Sequence, residues 1–106
     1  MESEFIQVFT TTDKKEEAEK ITKVLVEKRL AACVQIIGPI ESTYWWNGNI
    51  ETAKEWLILI KSEKRLYKEI ERVIKENHSY QVPEILAVPV TAGNPDYLRW
   101  LKNELR

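Results

Sequence analysis

Two adjacent residues near the middle of the chain, Asn47-Gly48, constrain its fold more than any others. Residues 33–46 before them and 49–62 after them are both rich in β-branched and aromatic side chains. A two-residue type I′ turn needs positive φ at both central positions, which Asn and Gly accept at little cost, so the dipeptide predicts a β-hairpin. Each arm runs about a dozen residues, where roughly 5–6 is typical. At ~3.3 Å per residue an arm reaches on the order of 40 Å, the width of a domain this size or more. A chain of 106 residues cannot cover such a ribbon by itself. Something else must pack on it.

The flanking segments supply the remaining elements. Residues 4–11 carry aromatic and β-branched side chains without Pro or Gly and read as the first strand. Asp13 with Glu16 three positions on has the form of a capping box, opening an amphipathic helix to about Leu30. Its apolar face is Ala18, Ile21, Val24, Leu25 and Leu30. Ser62 is placed to cap a second helix, with Leu66, Ile70, Val73 and Ile74 as the buried stripe and Asn77 as a left-handed stop. Residues 78–84 form a loop and 85–90 a short buried strand. Asn94-Pro95 then opens a last helix with Leu98, Leu101 and Leu105 on one side.

This order, β-α-β-β-α-β plus a terminal helix, predicts an α+β fold: a ferredoxin-like split sandwich with a long central hairpin. In that arrangement the first and third strands are central. Proline cannot donate to a ladder and belongs on edges. Pro39 and Pro89 fall in the second and fourth strands, and the first and third have none. No linker or repeat interrupts residues 1–106, so a single domain is expected.

The third strand predicts self-association. Trp56, Ile58 and Ile60 point one way and Leu57 and Leu59 the other. Both faces are apolar, yet the fold has helices for only one. Tyr44, Trp45 and Trp46 near the hairpin tip are typical interface anchors. A homo-oligomer burying these aromatics with Leu57 and Leu59 is therefore expected; the alternative is that the terminal helix folds back over the open face.

Composition bears on location and partners. Sixteen basic and seventeen acidic residues leave a net charge of −1, with no electrostatic footprint for nucleic acid or an acidic membrane. No run approaches the ~20 apolar residues of a membrane span, and the opening Met1-Glu2-Ser3-Glu4 lacks the pattern of a signal peptide. A single cysteine suits a reducing cytoplasm.

Chemistry-bearing residues are few. His78 is the only histidine and Cys33 the only cysteine; no Cys-x-x-Cys, His-x-x-x-His or carboxylate cluster has metal-ligand spacing. Cys33 reads either as a small buried hydrophobe or as a nucleophile partnered by His78. Gly38, Gly48 and Gly93 are isolated, too scattered for a phosphate-cradling loop. Glu55 and Glu84 can each pair with Lys61, as a structural ion pair or as part of a pocket. Tyr80 and Trp100 fit core, interface or pocket lining equally. No catalytic constellation emerges.

One set of motifs goes further. Leu30-Ala-Ala-Cys33, Tyr44-Trp-Trp-Asn-Gly48, Glu55 followed by Lys61, His78-Ser-Tyr-Gln-Val-Pro-Glu-Ile85 and Asp96-Tyr-Leu-Arg-Trp-Leu101 together resemble the CutA divalent-cation tolerance proteins, in order and over nearly the whole chain. The resemblance implies a ferredoxin-like subunit in a tight homotrimer, akin in architecture to the PII-type signalling proteins. It also implies a cytoplasmic role in tolerance to copper and other divalent metals, without an enzymatic activity or a required cofactor. His78 aligns with a histidine associated in the family with copper binding, and Cys33 with a family cysteine. Some metal-associated members carry a cysteine where Phe9 stands and a second histidine where Asn77 stands; this chain has neither. Tyr80, Glu84, Glu55, Lys61, Cys33 and Trp100 match the family's polar cleft between subunits.

Two functions follow as expectations. One is a metal-responsive trimer binding Cu(II) or a similar ion through His78 and nearby carboxylates, since even a sparse imidazole site captures copper. The other is a PII-like sensor or interaction trimer whose cleft around Tyr80, Glu84 and Lys61 takes a small anionic or zwitterionic ligand.

Overall fold

The Asn47-Gly48 turn forms as expected: φ is 49° at Asn47 and 78° at Gly48, and Trp46 pairs with Asn49 across it. The structure, a computed structural model, describes residues 4–106. Residues 1–3, read above for a leader, lie outside that range. The elements are β1 (Phe5–Thr12), α1 (Lys15–Glu27), β2 (Cys33–Trp46), β3 (Asn49–Glu63), a 3-10 turn (Lys64–Leu66), α2 (Tyr67–Asn77), β4 (Ile85–Pro89) and α3 (Pro95–Glu104). All strand pairs are antiparallel, in the order β2-β3-β1-β4. This is the ferredoxin-like arrangement, with proline-bearing β2 and β4 at the edges. Among the described residues no helix is long and apolar enough to cross a membrane.

One face of the sheet carries the core. By strand alternation Ile6 and Val8 of β1 and Ile58 and Ile60 of β3 share a side. They cluster there with Ala18, Ile21 and Leu25 of α1 and Ile70, Val73 and Ile74 of α2, all buried. Each large aliphatic side chain removed from water contributes about 1.5–3 kcal/mol, so this layer dominates stability. Leu101 and Leu105 join the same core, which ties α3 to the domain.

Four local expectations are corrected. Asp13 does not cap α1: the N-cap is Lys14, with no side-chain cap, and Asp13 pairs with the Lys14 ammonium at 3.3 Å. Thr12 does part of that work, its hydroxyl accepting from the Lys14 N–H at 3.3 Å. α1 also ends at Glu27, before Leu30, because Arg29 turns left-handed at φ 55°. Ser62 does not cap α2. It remains in β3 and donates a buried 2.6 Å hydrogen bond to the Leu30 carbonyl, pinning the chain after α1 to the sheet. Asn77 ends α2 without a left-handed residue; its side-chain amide donates to the Val73 carbonyl at 2.8 Å.

The other face is left open. Cross-strand register lines up Gln35, Leu59, Phe9 and Leu86 in one row, and Ile37, Leu57 and Thr11 in the next. Leu86 is 60% exposed and Ile37 is exposed as well. α3 reaches only one end of this face, where Tyr97 lies 5.8 Å from the Lys61 ammonium and Lys102 pairs with Glu63, and Leu86 and Ile37 stay exposed. Beyond a bulge between Ile37 and Ile40 the hairpin continues past the helices, and the long axis of the molecule reaches 44 Å.

Candidate functional site

The loop of residues 78–84 leaves α2 and crosses the open face near the middle of β3. His78 anchors it. The Thr11 carbonyl lies 2.7 Å from Nε2, while Nδ1 accepts from the Tyr80 N–H at 3.0 Å. A carbonyl only accepts, so Nε2 carries the proton and Nδ1 offers its lone pair inward. The imidazole is fully buried, and its ring lies 4.8 Å from that of Tyr80. Glu17 Oε2 stands 3.5 Å from Nδ1 and accepts from Thr12 at 2.6 Å and Ser79 at 3.1 Å.

Held this way, Tyr80 reaches across to β3. Its hydroxyl donates a 2.7 Å hydrogen bond to Glu55 Oε2, and Glu55 is only 5% exposed. Burial, and then the bond to the Glu55 carboxylate, push the Tyr80 hydroxyl well above the ordinary tyrosine range. The phenol therefore stays a donor at physiological pH. Around the pair opens a cleft of about 650 Å³, within the usual size range of small-molecule sites. Glu55, Tyr80 and Glu84 line it together with Thr11, Asp13, Gln81 and Val82, and the hairpin adds Ser42, Thr43, Tyr44, Trp46 and Ala53.

The six residues matched to a cleft from the sequence divide into two groups. Glu55, Tyr80 and Glu84 share this cleft. Lys61 stands six residues along β3 from Glu55, roughly 20 Å away. There it pairs across the sheet with Cys33, donates to Gln35 Oε1 at 2.9 Å and lies 5.8 Å from the Tyr97 ring. Trp100 packs on Tyr97 with ring centroids 5.5 Å apart. Cys33, Lys61 and Trp100 thus form a second polar and aromatic cluster at the other end of the open face.

A copper centre does not fit the residues of one chain. Both nitrogens of His78 are engaged in protein hydrogen bonds. Cys33 sits beside Lys61 rather than beside His78. Among the described residues no three His, Cys, Asp or Glu side chains gather closely enough to hold a metal ion.

The aromatics of the hairpin also divide. Tyr44 and Trp46 wall the cleft. Trp45 faces the opposite side with its cross-strand partner Ile50, and the two are 72% and 64% exposed. Leu57 and Leu59 are half-buried on the open face. Sequence reasoning missed Thr11, Asp13, Ser42 and Ala53 as lining residues. The signal for two of them was present: a two-residue turn at Asn47-Gly48 fixes the pairing of Ser42 with Ala53, which alternation places on the face of Glu55.

Comparison with known proteins agrees with this architecture. The model of the CutA1 divalent ion tolerance protein family matches residues 6–104. The chloroplastic protein CutA 1 of Oryza sativa subsp. japonica is 42% identical over 95% of this chain, which spans 57% of that relative. The chloroplastic CutA of Arabidopsis thaliana is 40% identical, and the chain spans 56% of it. The chain therefore covers little more than half the length of these plant relatives. Against the divalent-cation tolerance protein CutA of Archaeoglobus fulgidus, identity is 42%, over 89% of this chain and 91% of that protein. The crystal structure of CutA1 from Oryza sativa superposes with a TM-score of 0.95 at 40% identity, covering 99% of this chain and 96% of that one. The divalent cation tolerance protein of Thermus thermophilus gives 0.94 at 38% identity, over 96% and 99%. With the fold, the hairpin and the His78 loop in place, these matches show that the chain belongs to the CutA1 divalent ion tolerance family.

Proposed function

We propose that the protein is a cytoplasmic homotrimer that serves divalent-cation tolerance through binding rather than catalysis, by way of the cleft under Tyr80. The observation that carries this reading is the open sheet face. Phe9, Leu57, Leu59 and Leu86 lie in adjoining cross-strand rows; α1 and α2 occupy the other side, and α3 reaches only the end of this face near Lys61. Apolar area of this extent, continuous with an overlong hairpin, marks a protein interface. Further copies of the chain are the occupant, because the hairpin's aromatic end reaches beyond its own domain, in the manner of an arm laid on a neighbour. Trimeric order is what the family resemblance implies. The free thiol of Cys33 accords with a reducing compartment.

In this reading the separation of the two polar clusters has a purpose. Assembly brings Cys33, Lys61 and Trp100 of one chain toward Glu55, Tyr80 and Glu84 of the next, completing a cleft between subunits. His78 acts as the post that positions Tyr80. Copper(II) enters as an ion to which the assembly responds, not as one resident on the His78 ring.

Calorimetric titration of the intact oligomer with Cu(II), beside His78→Ala and with Zn(II) for comparison, tests this. The reading predicts weak binding that the substitution leaves unchanged. Tight, saturable copper binding that disappears in His78→Ala would replace it with a metal site at that residue.

A further inference from the structure

We propose that Glu17 is a positioning residue of the cleft: its carboxylate, held between Thr12, Ser79 and His78, fixes where the loop of residues 78–84 begins and so where the Tyr80 hydroxyl stands. The inference rests on the ligand-cleft reading above and deepens it. Glu17 is not one of the residues that line the cleft. It acts from behind, out of the first turn of α1.

The geometry is a closed ring of polar groups. Glu17 Oε2 accepts from the Thr12 hydroxyl at 2.6 Å and from the Ser79 hydroxyl at 3.1 Å. Thr12 in turn accepts from the Lys14 N–H at 3.3 Å, and Ser79 from the Lys14 ammonium at 3.4 Å. Each hydroxyl both donates and accepts, so neither is free to turn elsewhere. The end of β1, the start of α1 and the loop meet in this ring. The Glu17 side chain is only 12% exposed, and a carboxylate so placed needs the donors it has.

The same oxygen stands 3.5 Å from His78 Nδ1. That nitrogen already accepts from the Tyr80 N–H. An ionised carboxylate only accepts, so it brings no proton that would compete with the Tyr80 amide for Nδ1. Three consecutive residues are thus each tied to a different element. His78 is fastened to β1 through the Thr11 carbonyl, Ser79 to α1 through Glu17, and Tyr80 to β3 through Glu55. Without the middle tie the segment between the other two is free to shift. Every partner belongs to the same chain, so the arrangement holds whatever covers the open face.

Amide hydrogen exchange on the intact protein tests this. Glu17→Ala is expected to speed exchange at the Tyr80 amide by about tenfold to a hundredfold more than at the core amides of Val8 and Ile60. Glu17→Gln keeps a carbonyl oxygen for both hydroxyls and is expected to behave as the wild type. Tyrosinate absorbance gives a second reading, taken as the difference between each protein and its Tyr80→Phe counterpart. Tyr80 is expected to ionise at lower pH in Glu17→Ala, because its contact with Glu55 loosens. Should Glu17→Ala fail to fold, the exposed Ser79→Ala opens the ring from the loop side and carries the same test. Equal acceleration at Tyr80 and in the core, with Tyr80 ionisation unmoved, makes Glu17 a residue of stability alone and overturns the proposal. Glu17→Gln behaving as Glu17→Ala overturns it too. Neither readout uses a ligand, so the proposal can fail while the cleft reading stands, and a cleft that binds nothing leaves both readouts as they are.

Discussion

The hydroxyl of Tyr80 and the buried carboxylate of Glu55 meet at 2.7 Å, joining the loop after α2 to the middle of β3. This contact fastens residues 78–84 over the open face and sets the chemistry of the cleft. It also makes stability depend on pH. The folded-state value of Tyr80 lies above the ordinary one, chiefly through burial and then through Glu55. The unfolded chain therefore loses this proton first, at about pH 10. The stabilisation is complete below that pH and is lost as pH rises toward the folded value. Denaturant midpoints measured from neutral pH upward should fall above about pH 10, and Tyr80→Phe should flatten that fall. An unchanged slope in Tyr80→Phe would show that the hydroxyl is not buried against Glu55.

His78 tests the loop from its other end. Removing the imidazole strips the Thr11 carbonyl and the Tyr80 N–H of their partners, an expected cost of about 2 kcal/mol. In His78→Ala the loop should also exchange its amide hydrogens faster at Tyr80, while the core strands keep their protection. Equal stability and exchange in the two proteins would contradict the positioning role.

Ser62 offers a measurement far from the cleft. Its hydroxyl satisfies the Leu30 carbonyl in a buried 2.6 Å bond. Ser62→Ala leaves that carbonyl without this donor and should lower stability by about 1–2 kcal/mol, with the denaturant slope unchanged. A helix cap would show a different signature, a loss confined to the first turn of α2.

Much of the fold was legible because its strongest signals are local. Asn47-Gly48 fixes the hairpin through backbone sterics alone, and Pro39 and Pro89 mark edges because neither can donate to a ladder. Asp13, Ser62 and Asn77 each carry a side chain suited to capping, but another partner holds it: a tertiary one for Ser62, the adjacent Lys14 for Asp13 and the Val73 carbonyl of its own helix for Asn77. The Leu30 carbonyl took the Ser62 hydroxyl, and the Lys14 ammonium stands against Asp13. The site was half legible. Glu55, Tyr80 and Glu84 were found by motif, whereas the distance of Lys61 from Glu55 follows only from counting residues along one strand. That Tyr44 and Trp46 wall the cleft while Trp45 does not was not legible, because composition does not say which side of a ribbon an aromatic occupies.

The central claim, that further copies of this chain cover the open face, is tested most directly by the mass of the particle in solution. Light scattering on the purified protein at micromolar concentration should give three chain masses, and Leu59→Glu, which puts a charge in the middle of that face, should shift the protein toward smaller species. A single chain of 12.5 kDa at the same concentration, folded and with the face intact, would contradict the account.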